Sequence, residues 1–339
     1  MTGYYLRAVA IVALLLSVAN TASAQFSLGI RANGDVFNVD FIGTNDEFAA
    51  WTESDQAKRS YDSVGSIIIR SESVGPKLSS CLRRFSKTSG LWLGMSPDGI
   101  ELTPGTLGEL NGLSSLESLH IYGSNTKAGE LANVRGLNQL ETLYVGGGIQ
   151  INRDDLRAIG EFRKLEDLSL ECQDIADGDW LENLAQLESL SLSAKRVHHD
   201  IKRFVPSLGR LTALSVYGIA FDEADLNRLA ESHRDAIAHL ALEIDDPKSA
   251  AALKNFSKLK SLDLHCKQSG PFPLDILDKL PELRILYVRG FERPMEQEAV
   301  RRLQTHPTVV DVKFRDQDHR GLLIWRRTGD KPSVRVERE

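Results

Sequence analysis

The stretch NLAQLESLSL, Asn183 to Leu192, places leucines at 184, 187, 190 and 192. A helix face asks for spacings of three and four, and a strand face for spacings of two. This phrase begins as one and ends as the other. The same rhythm recurs in LSSLESLHI from Leu113, LNQLETLYV from Leu137, FRKLEDLSL from Phe162 and LGRLTALSV from Leu208. It returns in FSKLKSLDL from Phe256 and LPELRILYV from Leu280. AIAHLAL from Ala236 and TVVDVKF from Thr308 fit more loosely, and GSIIIR and GLWLGM upstream read as degenerate copies. The residue that opens the final two-residue step falls at Ile67, Leu91, Leu119, Leu143, Leu168, Leu190, Leu214, Leu240, Leu262, Leu286 and Val312, at intervals of 22 to 28 residues.

The physical reading is a short strand approached by a covering segment. Leu190 and Leu192 share one face of a strand, and Leu184 and Leu187 cover the same core from the approach. One repeat cannot bury them alone. Stacked neighbours can, at roughly 1.5 to 3 kcal/mol per fully buried leucine, so stability becomes a sum over nearest-neighbour contacts. This pattern resembles the leucine-rich repeat family, whose unit of about 20 to 29 residues carries a Leu-x-Leu strand and returns by a helix or looser segment. The resemblance covers about residues 60 to 316. It implies an α/β solenoid, a horseshoe with a curved parallel sheet on its concave face and helices and loops on its convex face. The family's usual Asn or Cys three residues after the second strand leucine is mostly replaced, as by Ser124, Gly148, Gln173 and Lys195, so a regular asparagine ladder is not expected. The predicted organisation is an export segment over 1–24, an N-terminal cap over 25–60, about eleven repeats over 61–316 and a C-terminal cap over 317–339.

Return segments and ends fit this plan. Asp246-Pro247 before KSAAALKNF reads as a helix N-cap followed by proline in the first turn, and DEADLNRLAESH and PMEQEAVRRLQTH carry helical apolar spacing. Pairing outward from an Asn33-Gly34 turn sets Ile30 by Phe37, Leu28 by Val39 and Phe26 by Phe41, an amphipathic hairpin that would cover one open end. GLLIWRR and PSVRVE around TGDK suggest a second hairpin at the other end.

The opening MTGYYLRAVAIVALLLSVANTASAQF has one basic residue, Arg7, an apolar run from Ala8 to Leu16, and small residues ending in Ala22-Ser23-Ala24. That is the pattern of a secretory signal peptide, too short to cross about 30 Å of hydrocarbon, so the expected location is secreted or periplasmic with no membrane insertion after cleavage. The whole chain of 339 residues has a net charge of -6, and without Arg7 it has 40 basic against 47 acidic residues, or -7. Nucleic acid is not the partner such a balance suggests. Cys81, Cys172 and Cys266 are too few for a disulfide scaffold. Cys172 and Cys266 lie four strands apart, about 19 Å at 4.8 Å per strand against a disulfide reach of about 7 Å, and are expected to be free thiols.

Catalytic signatures are missing from the sequence: no Gly-x-Ser-x-Gly elbow, no His-Glu-x-x-His, no phosphate loop. Ser169, Ser191 and Ser215 recur because they share a register position. The chain after Phe314 is too short for an appended catalytic domain, so a non-catalytic protein without cofactor is expected. Val197-His198-His199-Asp200 raises a metal, yet adjacent side chains in an extended segment diverge and no further ligand cluster accompanies them. Asp174, Asp177 and Asp179 lack the order of a calcium loop and read as turn or cap residues.

What remains is the outward face of the sheet. The residue between the two inward strand positions gives a column that includes Trp92, His120, Tyr144, Asp263 and Tyr287; the next outward column includes Tyr122, Tyr217, His265, Arg289 and Arg315. Those ten residues are the candidate contact set, aromatic at one end and charged at the other. The family resemblance implies that the concave face binds a partner, and aromatic clusters are the usual form of a binding hot spot. A protein partner is expected; the alternative is a glycan or cell-wall polymer stacked on Trp92 and Tyr144. Aromatics in register also stabilise a sheet without any ligand.

Overall fold

The computed structural model describes residues 25–30, 36–71, 73–94, 100–124, 126–291, 301–303, 305–315, 321–328 and 331–338. The expected export segment, the Asn33-Gly34 turn and most of PMEQEAVRRLQTH lie outside the described residues, as does the side chain of Arg315. The described residues fall into two compact units, divided between Gln150 and Ile151.

In the first unit the strands Val36–Ile42, Ser66–Ile69, Gly90–Leu93, Ser118–Ser124 and Thr142–Gly146 run parallel, each hydrogen-bonded to the next. Ile67 lies opposite Leu91, Leu91 opposite Leu119, and Leu119 opposite Leu143. The register inferred from the leucine steps therefore holds even through the degenerate copies and the interval of 28 residues between Leu91 and Leu119. The strand Gln25–Ile30 pairs antiparallel with Val36–Ile42, with Phe26 opposite Phe41 and Leu28 opposite Val39 as expected. The expected Ile30–Phe37 pair does not form. Ile30 pairs with Val36, because a bulge after Gly29 leaves one extra residue in the second strand. Beside this hairpin the helix Asn45–Thr52 is fixed by a capping box between Thr44 and Glu47. Its Phe48 and Trp51 continue a run of ring contacts from Phe26 and Phe41 to Phe85, with centroids 4.6 to 5.9 Å apart. Phe41, Phe48 and Phe85 are fully buried, so these rings form part of the core of the first unit.

In the second unit the parallel strands are Asp167–Ile175, Ser189–Val197, Ala213–Phe221, His239–Ile244, Ser261–Cys266, Ile285–Arg289 and Asp311–Arg315. Leu168, Leu190, Leu214, Leu240, Leu262, Leu286 and Val312 form one unbroken row of register partners. Two further strands, Gly321–Thr328 and Lys331–Arg338, add antiparallel to Asp311–Arg315 as a hairpin. Leu184, Leu187, Leu190 and Leu192 are all at most 1% exposed, so the opening rhythm is one core seen from two sides.

The return segments are mixed, in keeping with the absent asparagine ladder. Glu223–His233 is an α-helix started by an Asp222–Asp225 capping box. Pro247–Asn255 is a 3-10 helix; Asp246 caps it as expected, accepting from the Lys248 amide at 2.8 Å. All three cysteines are free and buried. Burial pushes the Cys172 and Cys266 thiols up to about 11, so both are protonated and unreactive at neutral pH. No helix among the described residues is long and apolar enough to cross a membrane.

Candidate functional site

The outward face of each unit carries one of the two expected groups. In the first unit Trp92, His120 and Tyr144 are direct register partners on successive strands. Their rings form a ladder. Trp92 and His120 stack with centroids 5.2 Å apart and planes 17° from parallel, and His120 and Tyr144 with 6.0 Å and 22°. All three are half-buried. His120 Nε2 also lies 3.0 Å from the Ser118 hydroxyl, which holds the middle ring upright. Glycines make room for the two outer rings. A Cβ on Gly90 would fall 2.5 Å from the Trp92 ring, and one on Gly146 would fall 2.7 Å from the Tyr144 hydroxyl. Tyr122 pairs with Gly146 through the backbone and lies half-buried beside the ladder.

In the second unit the outward residues engage one another. Arg289 Nη2 donates to both oxygens of Asp263, at 3.0 and 3.2 Å, and to the Tyr217 hydroxyl at 3.2 Å. Its guanidinium also sits 5.7 Å from the Tyr217 ring centroid. Burial and then the Asp263 charge push the Tyr217 phenol up to about 12. His265 lies 3.6 Å from Glu243, and Lys267 lies 3.2 Å from it. Tyr287 donates to Asp311 at 3.1 Å and carries Lys313 above its ring at 4.6 Å. Arg315 pairs with Arg289 through the backbone. Elsewhere in the second unit Ser169, Ser191 and Ser215 form a bare row in register.

One register expectation fails here. Simple counting sets Tyr217 beside Glu243, but the pairing jumps from Val216–Leu242 to Ala220–Glu243, so Tyr217, Gly218 and Ile219 bulge out of the ladder. Gly218 has φ of 102°, and a Cβ there would meet the Ala194 carbonyl oxygen at 2.1 Å, so only glycine fits the turn. The bulge frees Tyr217 to reach Arg289 across two intervening strands. Sequence reasoning also missed Gly90 and Gly146 as ring beds, and Lys267 and Asp311 as partners. The glycines were visible at two residues' remove from an aromatic on the same strand face, a spacing that signals a ring lying along the strand.

The expected divergence of His198 and His199 is likewise not what the chain does. Val197 ends its strand, the next residues turn, and the two imidazoles come together with centroids 4.2 Å apart. The turn or cap reading of Asp174, Asp177 and Asp179 is not met at Asp174, which lies in the strand Asp167–Ile175 and pairs with Arg196; Asp177 pairs with Arg153, and Asp179 is exposed in the first turn of the 3-10 helix Asp179–Asn183 without capping it.

The Glu243 cluster has a measurable pH signature. The His265 imidazole 3.6 Å away, and then the Lys267 charge, hold the carboxyl at about 2 rather than 4.5 despite opposing desolvation. A depressed folded value stabilises the fold above the unfolded value, and that contribution fades as pH falls from about 4.5 towards about 2. Glu243→Gln is therefore expected to melt below wild type at neutral pH and to converge with it by pH 2. A gap in melting temperature that stays constant between pH 5 and 2 would show that the carboxylate is not engaged.

A family profile described as a leucine-rich repeat region matches residues 92–324. The chain therefore belongs to the leucine-rich repeat family. No curated protein matches the chain by sequence. Among solved structures it is similar to internalin C2 of Listeria monocytogenes, with 18% identity, a TM-score of 0.44, and coverage of 60% of this chain and 82% of the internalin. Internalin F of the same bacterium gives 15% identity and a TM-score of 0.43 over 80% of this chain and 89% of its own. The plant peptide hormone receptor RGFR1, solved in complex with RGF2, gives 11% identity and a TM-score of 0.48 over 85% of this chain and 47% of the receptor.

Proposed function

We propose that this is a secreted, non-catalytic binding module that engages another protein through the outward face of its repeat sheet. The observation that carries the reading is the ladder Trp92–His120–Tyr144, three half-exposed rings held in one row by strand register, with Tyr122 beside it. Such a row offers large contact area with little side-chain entropy left to lose. The stacking favours a protein over a glycan. A sugar needs an open ring face, and here His120 has neither face open while Trp92 and Tyr144 each lose one face to it. The ion-paired cluster of Asp263, Arg289 and Tyr217, with His265, Tyr287 and Arg315 nearby in register, would then tune specificity and association rate more than affinity.

The test places a photo-crosslinking amino acid at Tyr122 and, as control, at exposed Asn138, in protein added to the native extracellular fraction. A discrete protein adduct at Tyr122 that is absent at Asn138 supports the reading. Adducts of equal pattern at both, or retention on polysaccharide alone, reject it. Export is checked separately: Ala22 and Ala24 supply the small side chains a signal peptidase accepts, so the mature protein should begin at Gln25. N-terminal sequencing of an intact Met1 on protein retained in the cytoplasm would sink the secretion claim.

A further inference from the structure

We infer that His198, His199 and Asp200 form a surface site for a divalent transition-metal ion of the zinc, copper or nickel type. The three residues occupy the turn between the strand Ser189–Val197 and the short helix Ile201–Phe204. One ligand atom from each lies within 4.8 Å of the others. The carboxylate spans the two rings: Asp200 Oδ2 is 3.2 Å from His198 Nδ1, and Oδ1 is 3.4 Å from His199 Nε2. Metal–ligand bonds of about 2.0 to 2.1 Å in a tetrahedron set neighbouring donors about 3.3 to 3.4 Å apart; each histidine–carboxylate pair already stands at that distance, and the donors of the full set lie within 4.8 Å, which a rotation of exposed side chains can close.

Charge makes the same point. An imidazole lone pair and a carboxylate oxygen at 3.2 Å repel unless a proton or a cation lies between them. The backbone amide of Asp200 also points at His198 Nδ1, at a long 3.4 Å, a contact that a metal bound at that nitrogen would replace. Asp200 makes no capping bond to the helix it precedes, so its carboxylate is not committed there. The nearby positive charges are offset: Arg196 is held by Asp174 through two hydrogen bonds of 2.7 and 3.1 Å, and Lys202 by Asp225 at 2.5 Å. His198 and His199 also line a surface groove with Asp174, Ile175, Arg196 and Ile219, which leaves room for further ligands. Two imidazoles with one carboxylate suit zinc, copper and nickel, whereas calcium and magnesium prefer an all-oxygen shell. Three protein donors leave at least one position for water or for a donor from another molecule.

The test is calorimetric titration of zinc chloride, and of cobalt chloride followed by visible absorption, into chain that carries no polyhistidine tag. One zinc per chain is expected, with no heat from calcium or magnesium. His198→Ala and His199→Ala should each weaken zinc binding by at least about tenfold and abolish the cobalt band, about the loss expected for one ligand bond of 1.4 kcal/mol or more. His265→Ala should change neither. His198 and His199 are 41% and 77% exposed, so both variants should keep the metal-free melting temperature of wild type. Absence of zinc binding, binding that survives the double alanine variant, or binding that follows His265 would each overturn the site.

Discussion

Leu190→Asp is expected to abolish folding of the second unit, while Ser191→Asp one position along leaves it intact. Leu190 is 1% exposed and lies between Leu168 and Leu214 in the inward row. Replacing it removes roughly 1.5 to 3 kcal/mol of apolar burial. It also places a carboxylate among leucines with no donor, a further cost of several kcal/mol. Together these reach about 5 kcal/mol or more, comparable to the net stability of an ordinary domain. In a stack where each repeat is held by its neighbours, the damage spreads to both contacts. Ser191 is only half-buried on the outward face, flanked by Ser169 and Ser215, so an aspartate there meets solvent and two hydroxyls. Its melting temperature should stay within a few degrees of wild type. Far-UV circular dichroism and thermal melts separate the outcomes, and equal shifts for the two variants would mean that the inward and outward rows have been exchanged.

The same contrast explains what could be read from residues alone. Inward positions repeat because a two-residue period and a shared core leave no choice: slipping one strand by one residue would bury Ser191 and expose Leu190. That constraint carried the register through Ile67 and Leu91, where the repeat phrase itself is barely recognisable. Outward positions are under no such constraint, and there counting failed where the backbone left the ladder. Tyr217 departs because Gly218 adopts a conformation closed to other residues, and His198 and His199 converge because the strand ends at Val197 instead of running on. Both departures are turn chemistry, which a period-two reading does not represent. The aromatic ladder could be placed because its three residues sit inside regular pairing. The Asp263–Arg289–Tyr217 cluster could not, because it joins residues on different strands through the bulge. Partner identity lies further out still, since register fixes where side chains stand and says nothing of what meets them.

The aromatic ladder gives the sharpest functional expectation. Once the crosslinked partner is in hand, Trp92→Ala and Tyr144→Ala should each weaken binding by about 1 to 2 kcal/mol, roughly 5- to 30-fold, and the double variant should bind more weakly than either. Both rings stack on His120, so their effects should be coupled through that shared neighbour and the double variant should depart from the sum of the singles. His120→Ala should cost at least as much as either, because it leaves both outer rings without the neighbour that fixes them. The melting temperature decides whether this is binding or packing. Cross-strand aromatic pairs contribute roughly 0.2 to 1 kcal/mol to a sheet, so a purely structural ladder would lower the melting temperature in all three variants and leave affinity alone. A contact surface does the reverse. Gly146→Ala sharpens the comparison, since its added methyl would meet the Tyr144 hydroxyl at 2.7 Å and must move that ring without deleting it. Affinity lost in Gly146→Ala at an unchanged melting temperature would show that the partner reads the position of the ring, while unchanged affinity in the Trp92→Ala/Tyr144→Ala pair would return the whole ladder to the sheet.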